Sequence, residues 1–238
     1  IIAVIDKVDV TGCLPGGYLI KTIRNVVFWN VNSNSFDKSL MEEFQINDYH
    51  YFCEGHDLTG LFSLTKQDVV DYEFIWNVSW RQIFLLMGIQ QCCIYLIQGI
   101  GVTKDFDELG FKLTFIARRS VLNPGTRYAA RGLNKHNQPA NEVECQLIFE
   151  KGLRFWTKGY RRGSIPIRWK TVLASKISAP KHKVQGGNFS KGTAEYFKEL
   201  QKRFELESII CVSLLEFSPE EHSAESEIAE SFQNSFEL

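Results

Sequence analysis

The chain has 238 residues, 44% hydrophobic and 23% charged, with a formal net charge of −1. That is the composition of a globular protein able to bury a sizeable core, as one large domain or two modest ones. Its longest apolar run, Cys92–Ile97, is far short of the roughly 20 residues a membrane-spanning helix needs, and no signal-peptide pattern opens it. The start at Ile1, without Met and directly on an apolar stretch, reads as a piece of something longer. Cysteines at 13, 53, 92, 93, 145 and 211 form no repeating CxxC pattern, which favours free thiols in a reducing compartment over a disulfide framework. The sequons Asn77-Val-Ser79 and Asn188-Phe-Ser190 read as chance occurrences in such a setting.

In chain order, Ile1–Val10 and Tyr18–Val31 are β-branched strand patterns separated by Gly and Pro turn chemistry. Phe44–Phe52 is a further strand pattern, and it runs into the compact CEGHDLTG. His50, Cys53, His56 and Asp57 there lack a second ligand cluster, so a polar turn explains them better than zinc does. Residues 64–80 look irregular, with Trp76 and Trp80 pinning a loop to the sheet. Gln91–Ile100 fits a buried strand or, by periodicity alone, a short helix, with Cys92 and Cys93 as core filling; Val102–Gly110 fits an acidic surface loop, and Phe111–Ala117 a strand. After the central segment come a polar linker over 171–188 and an amphipathic helix at Thr193–Phe204, with Ser190 or Thr193 as cap. A short strand at Ile209–Leu215 follows, and then a helix opened by Ser218-Pro-Glu-Glu221 and striped by Ile228, Phe232 and Phe236. These patterns predict an α+β chain, mainly β over 1–117 and α/β over 118–238.

The central segment, Arg118–Lys170, holds twelve Lys and Arg against three Asp and Glu. Residues 1–117 precede it at net −6, residues 171–204 follow it at +5, and residues 205–238 close the chain at −9, with no Lys or Arg after Arg203. Three readings compete for this basic stretch. One is phosphate recognition, since Asn123-Pro-Gly-Thr-Arg127 and Arg161-Arg-Gly-Ser-Ile-Pro166 place Arg beside Gly and a hydroxyl. A second is nucleic-acid binding, with Tyr128, Phe155, Trp156 and Tyr160 as stacking platforms. The third is a solvated basic face whose aromatics belong to the core.

The run PGTRYAARGLNKHNQPANEVEC, followed by RRGSIPIRW, resembles the Sac-domain phosphoinositide phosphatases. Upstream, YFCEGHDLT is similar to that family's F-Y-F-x-x-x-Y-D-L-T; downstream, FSKGTAEYFKELQKRF resembles its K-G-T-x-E-Y-F helix. NEVEC and WNVSW bring the chain nearest the large plant-type branch. The resemblance covers most of the chain, in order and at matching spacing. It implies a mainly β N-terminal subdomain followed by the first part of an α/β Cys-phosphatase-like catalytic subdomain, divided near residue 117. It also implies removal of phosphate from the inositol ring of phosphoinositides through a phosphocysteine intermediate. No metal or cofactor is called for. The partners implied are phosphoinositide headgroups at an anionic membrane, with no nucleic acid. The implied place is cytoplasmic, peripheral on the cytosolic face of an intracellular or plasma membrane.

The family's Cys-x5-Arg nucleophile loop is not found in these residues. Six positions after the cysteines stand Leu19, Thr59, Gln98, Gly99, Lys151 and Phe217. In the family this loop lies further downstream, so the expectation is a chain that holds no catalytic residue and is inactive alone. Arg127, Arg131 and Arg162 are the motif positions expected near the anionic headgroup. Two departures stand out: Val143-Glu144-Cys145-Gln146 replaces V-E-x-E-Q, one acidic residue short, and His56 replaces the Tyr of Y-D-L-T. A one-residue change of that kind inverts the faces of a strand unless a bulge absorbs it. The alternative is a non-catalytic Sac module that binds acidic membranes or scaffolds a partner.

Overall fold

The computed structural model describes residues 2–29, 49–64, 70–126, 129–172, 181–185, 189–215 and 224–236. The chain divides into two compact units, one of residues 1–121 with 143–161, the other of residues 122–142 with 162–238. Both are discontinuous because the central segment leaves the first unit, returns as a hairpin and leaves again.

The first unit is a seven-stranded sheet in the order β1 to β7: Ile2–Cys13, Leu19–Trp29, His50–Cys53, Ile97–Phe106, Phe111–Arg119, Val143–Lys151 and Arg154–Arg162. Neighbours from β1 to β6 pair antiparallel, and a two-residue turn at Gly152 and Leu153 joins β6 to β7. Period-two alternation sends Ile20, Tyr51, Ile97, Ile116 and Ile148 into one core with Leu14, Leu58 and Phe62. The opposite face carries a smaller cluster of Ile23, Phe52 and Leu96.

The end of β1 reaches across to β4, where the Cys13 amide donates to Thr103 Oγ1 at 2.9 Å and Thr11 Oγ1 donates to the Gly101 carbonyl at 2.7 Å. Gly101 permits that curl. A Cβ there would stand 2.7 Å from Ile20 Cγ2 and 3.3 Å from the Tyr51 ring.

Under the basic half of the sheet lies a buried ionic network. Arg118 and Glu144 are directly opposed on β5 and β6, with Nη2 3.1 Å from Oε1; this is a charge contact out of hydrogen-bond alignment. Arg118 is 0% exposed, and its Nη1 donates to the Leu58 carbonyl at 3.2 Å. On β7, Arg161 Nε donates to Glu144 Oε2 at 3.1 Å, and its Nη2 donates to Glu73 Oε2 at 3.2 Å. Glu73 sits in a single 3₁₀ turn, Tyr72–Phe74, opened by Asp71, whose side chain accepts from the Glu73 amide. Two guanidinium groups and two carboxylates thus neutralise one another where neither sign could be buried alone.

The second unit holds a two-stranded sheet, β8 at Trp169–Val172 and β9 at Lys181–Val184, and the long helix Phe189–Phe204. It also holds the helix Ala224–Asn234. With Val78–Leu86 of the first unit as α1, these helices are α2 and α3. α2 ends on Lys202 and Arg203, which suit the negative end of its dipole. Ile228 on α3 packs against Ile167 and Trp169.

The expected α+β composition is found: mainly β, with three α-helices among the described residues. Several element readings change. Gln90–Cys92 is a 3₁₀ turn, and β4 begins only at Ile97. The acidic loop read at 102–110 is mostly β4 strand, because Asp105 pairs across the ladder with Lys112 while only Asp107–Leu109 turns. Ile209–Leu215 forms no ladder with any described residue; Ile210, Val212 and Leu214 are exposed, while Cys211, Ser213 and Leu215 line a cleft beside α3. The shortened V-E-C-Q run is a regular strand, with Glu144, Gln146 and Ile148 all buried and no register shift against β5. The helix start at Ser218–Glu221 and most of the strand read at 44–52 lie outside the described residues.

Glu144→Gln strips the shared charge from between Arg118 and Arg161. It should cost about 3–5 kcal/mol in urea denaturation, against about 1 kcal/mol or less for an exposed ion pair.

Candidate functional site

The motif segments of the basic stretch converge in the second unit. The loop after β5 carries Arg131 and Gly132, the loop after β7 carries Ser164 to Ile167, and α2 carries Thr193 and Tyr196. Ser164 Oγ accepts from the Gly132 amide at 2.7 Å, and the Leu133 amide donates to the Ile167 carbonyl at 2.8 Å. Gly132 has φ +61°, and a Cβ there would lie 2.4 Å from the Ile167 carbonyl oxygen. Left-handed backbone and lack of room both demand glycine. Buried Thr193 donates to the Pro166 carbonyl at 2.7 Å, and the Tyr196 hydroxyl bonds the Glu142 carboxylate. In the turn Asn134–Gln138, Asn137 is left-handed at φ +59°. Its Nδ2 donates to Glu195 of α2, and its Oδ1 accepts from Arg168 Nη2 at 3.3 Å.

This scaffold holds Arg131. Its guanidinium lies over the Trp169 ring at 5.2 Å, and its buried Nε–H has no hydrogen-bond acceptor among the described residues. Trp169 is fixed from below by its indole N–H, which donates to the Ile165 carbonyl at 3.2 Å. The His182 ring meets it edge-on at 5.2 Å. Burial, then the charge of Arg131, pushes His182 below the ordinary imidazole value, with Glu225 opposing. The result is a cation stacked on an indole, beside a histidine held toward its neutral form. Among the described residues no carboxylate takes up the buried Nε–H of that guanidinium, and a stacked guanidinium of this kind can take an anion.

The three arginines expected at the headgroup have different fates. Arg131 is half-buried in this scaffold, Arg162 is exposed at the end of β7, and Arg127 lies outside the described residues, as does Tyr128. The Gly132–Ser164 bond brings the segments of Arg131 and Arg162 side by side. Sequence reasoning missed Trp169 and His182. Trp169 carried a signal in the RGSIPIRW run; His182 carried none, because its partner lies across a strand pair. Of the segment's other cations, Arg118 and Arg161 are structural, whereas Arg154, Lys158, Arg168 and Lys170 are exposed.

Neither of two thiols is prepared for nucleophilic attack. Burial pushes half-buried Cys53 up to about 12 and raises Cys93, opposite to the lowering a reactive thiolate needs. The cluster read at residues 50–57 is structural. His56 packs between Tyr18 and Phe62, with ring centroids 5.0 and 4.8 Å away, and Asp57 accepts from the Thr59 amide at 2.8 Å. Among the described residues no three His, Cys, Asp or Glu side chains form a metal-holding group.

Gly132→Ala should destabilise the chain by more than about 2 kcal/mol, since it adds a backbone clash to the left-handed penalty. Gly110→Ala, at φ +65° in open space, should cost about 1 kcal/mol. Thermal or urea unfolding of the two variants measures the difference.

A family model described as the SacI homology domain matches residues 1–238. Over 151 residues the chain is 32% identical to a protein named phosphoinositide phosphatase SAC3 of Arabidopsis thaliana, covering 57% of this chain and 16% of that one. It is 29% identical over 191 residues to phosphoinositide phosphatase SAC4 of the same plant, covering 74% and 21%. Against phosphatidylinositol-3-phosphatase SAC1 of Saccharomyces cerevisiae it is 23% identical over 227 residues, covering 84% and 36%. The matched region is therefore between 16% and 36% of the length of these relatives. On the full-length match of the family model, the chain belongs to the SacI homology domain family.

Proposed function

We propose that this chain is the N-terminal part of a phosphoinositide phosphatase, a mainly β subdomain together with the beginning of the catalytic subdomain. The observation that carries the reading is Arg131, stacked on Trp169 by a scaffold of family-motif residues and left with a donor that no described side chain takes up. Arg131 contacts a ring phosphate, and Arg127 and Arg162 supply further positive charge to the same headgroup. The substrate is a phosphoinositide at the cytosolic face of a membrane, which the protein visits peripherally.

Bond breaking falls to a cysteine thiolate from a Cys-x5-Arg loop outside these 238 residues. The thiolate attacks phosphorus, the ring oxygen leaves as the alcohol, and water then hydrolyses the phosphocysteine to free phosphate and thiol. The cysteines of this chain support that division of labour, since none is followed six positions on by Arg. The same observation favours a second reading, a Sac module that binds acidic membranes without chemistry.

The test is phosphate release by the full-length protein from water-soluble short-chain phosphoinositides. The expected result is turnover, with Arg131→Lys lowering kcat/KM at least about tenfold because an ammonium lacks the planar fork. A protein with an intact Cys-x5-Arg loop that releases no phosphate from any phosphoinositide overturns the enzymatic reading.

A further inference from the structure

The sheet of the first unit sorts its charges by face along β4 to β7. Ladder register and period-two alternation put Asp105, Glu144 and Glu150 on the same face as the core residues Ile97, Ile116 and Ile148. The opposite face takes Lys104 from β4 and Lys151 from β6. It also takes Arg154 and Lys158 from β7, because Phe155 packs on the core and Arg161 reaches Glu144, which leaves the alternate residues outside, with Trp156 against Phe149. No Asp or Glu occupies that face on any of the four strands up to Arg161.

Between the cations the same face is apolar and aromatic. A ring ladder runs across all four strands: Phe106 stacks on Phe111 at 4.7 Å, Phe111 on Phe149 at 4.7 Å, and Phe149 meets Trp156 at 5.6 Å. Trp156 remains 54% exposed at its outer end. At the tip of the β6–β7 hairpin Leu153 is fully exposed, set between Lys151 and Arg154. Edge strands often carry Lys and Arg to block pairing with another chain, and β7 is an edge. That accounts for Lys158 but not for an exposed indole and an exposed leucine beside it.

We propose that this face of the sheet, with the hairpin tip Lys151–Arg154 leading, docks on an anionic lipid bilayer. Leu153 and Trp156 enter the headgroup layer, and Lys151, Arg154 and Lys158 meet lipid phosphates and carboxylates. An indole at the interface, flanked by cations and free of carboxylates, is the chemistry a negatively charged leaflet selects. Recognition is of surface charge rather than of one headgroup. The inference deepens the proposed function by naming the surface that holds the protein on its substrate's membrane.

The experiment is flotation of the 238-residue chain with phosphatidylcholine vesicles, with vesicles also containing phosphatidylserine, and with phosphoinositide vesicles of equal surface charge. Expected are binding to both anionic vesicles and little to the neutral one, weakening with added salt. Arg154→Glu with Lys158→Glu should lower affinity at least about tenfold, given about 1 kcal/mol per basic residue, and Leu153→Asp should lower it too. Brominated lipid should quench tryptophan emission in the wild type and much less in Trp156→Phe. Equal binding to neutral and anionic vesicles overturns the proposal. So do binding confined to phosphoinositide vesicles, charge-reversed chain that binds like wild type, quenching untouched by Trp156→Phe, or a dimer that buries Trp156. In the full-length enzyme the charge-reversed variant should lose hydrolysis of vesicle substrate and keep that of short-chain substrate. Inactivity of the wild type on both would instead strike the enzymatic reading.

Discussion

The contact on which this structure depends most is the one between Arg118 and Glu144. A fully buried guanidinium must meet a carboxylate, and it meets one because the register of β5 against β6 places the two residues opposite each other. Glu144 also takes Arg161 from β7, and Arg161 takes Glu73 from a turn 88 residues earlier in sequence. One carboxylate thus fastens the third strand of the basic half, and a slip of one residue would set Val143 or Cys145 opposite Arg118 and leave its buried charge without a partner. Where the chain departs from the family's pattern at Val143–Gln146, the position that holds the network is kept and the strand runs on without a bulge.

This constraint divides the twelve basic residues of the central segment into groups with different work. Arg118 and Arg161 hold the sheet together and are unavailable to any ligand. Arg131 belongs to the second unit, where Gly132, Ser164, Thr193 and Tyr196 tie separate motif segments and leave a stacked guanidinium beside His182. Arg154 and Lys158 stand outside on an edge strand, on a face without carboxylates. Local net charge of +9 therefore describes three things at once: an internal network, an arginine stacked on an indole, and a surface.

Much of this was legible before the fold was known. Strand patterns at Ile1–Val10 and Phe111–Ala117, the amphipathic helix before Phe204 and the family itself follow from period and motif. Long-range choices were not legible. Nothing local marks Glu73 as the partner of Arg161, or distinguishes buried Arg118 from exposed Arg154 in a run of cations. The region at 102–110 misled because an alternating Lys104–Asp105 pair reads as loop until its cross-strand partner Lys112 is known. Ile209–Leu215 misled in the other direction, since its β-branched residues propose a strand and only an adjacent strand can make one. His56 shows the same limit in small form: its ring packs between Tyr18 and Phe62, and spacing alone could not say so.

Burial partitions the segment's arginines into structural and surface groups. Modification of the native chain with an arginine-selective dicarbonyl reagent, mapped by mass spectrometry with and without anionic vesicles, tests it most directly. Arg118 and Arg161 should stay unmodified in both conditions, whereas Arg154 should react freely and become protected by the vesicles. Rapid modification of Arg118 in the folded chain, or an Arg154 indifferent to the bilayer, would contradict it.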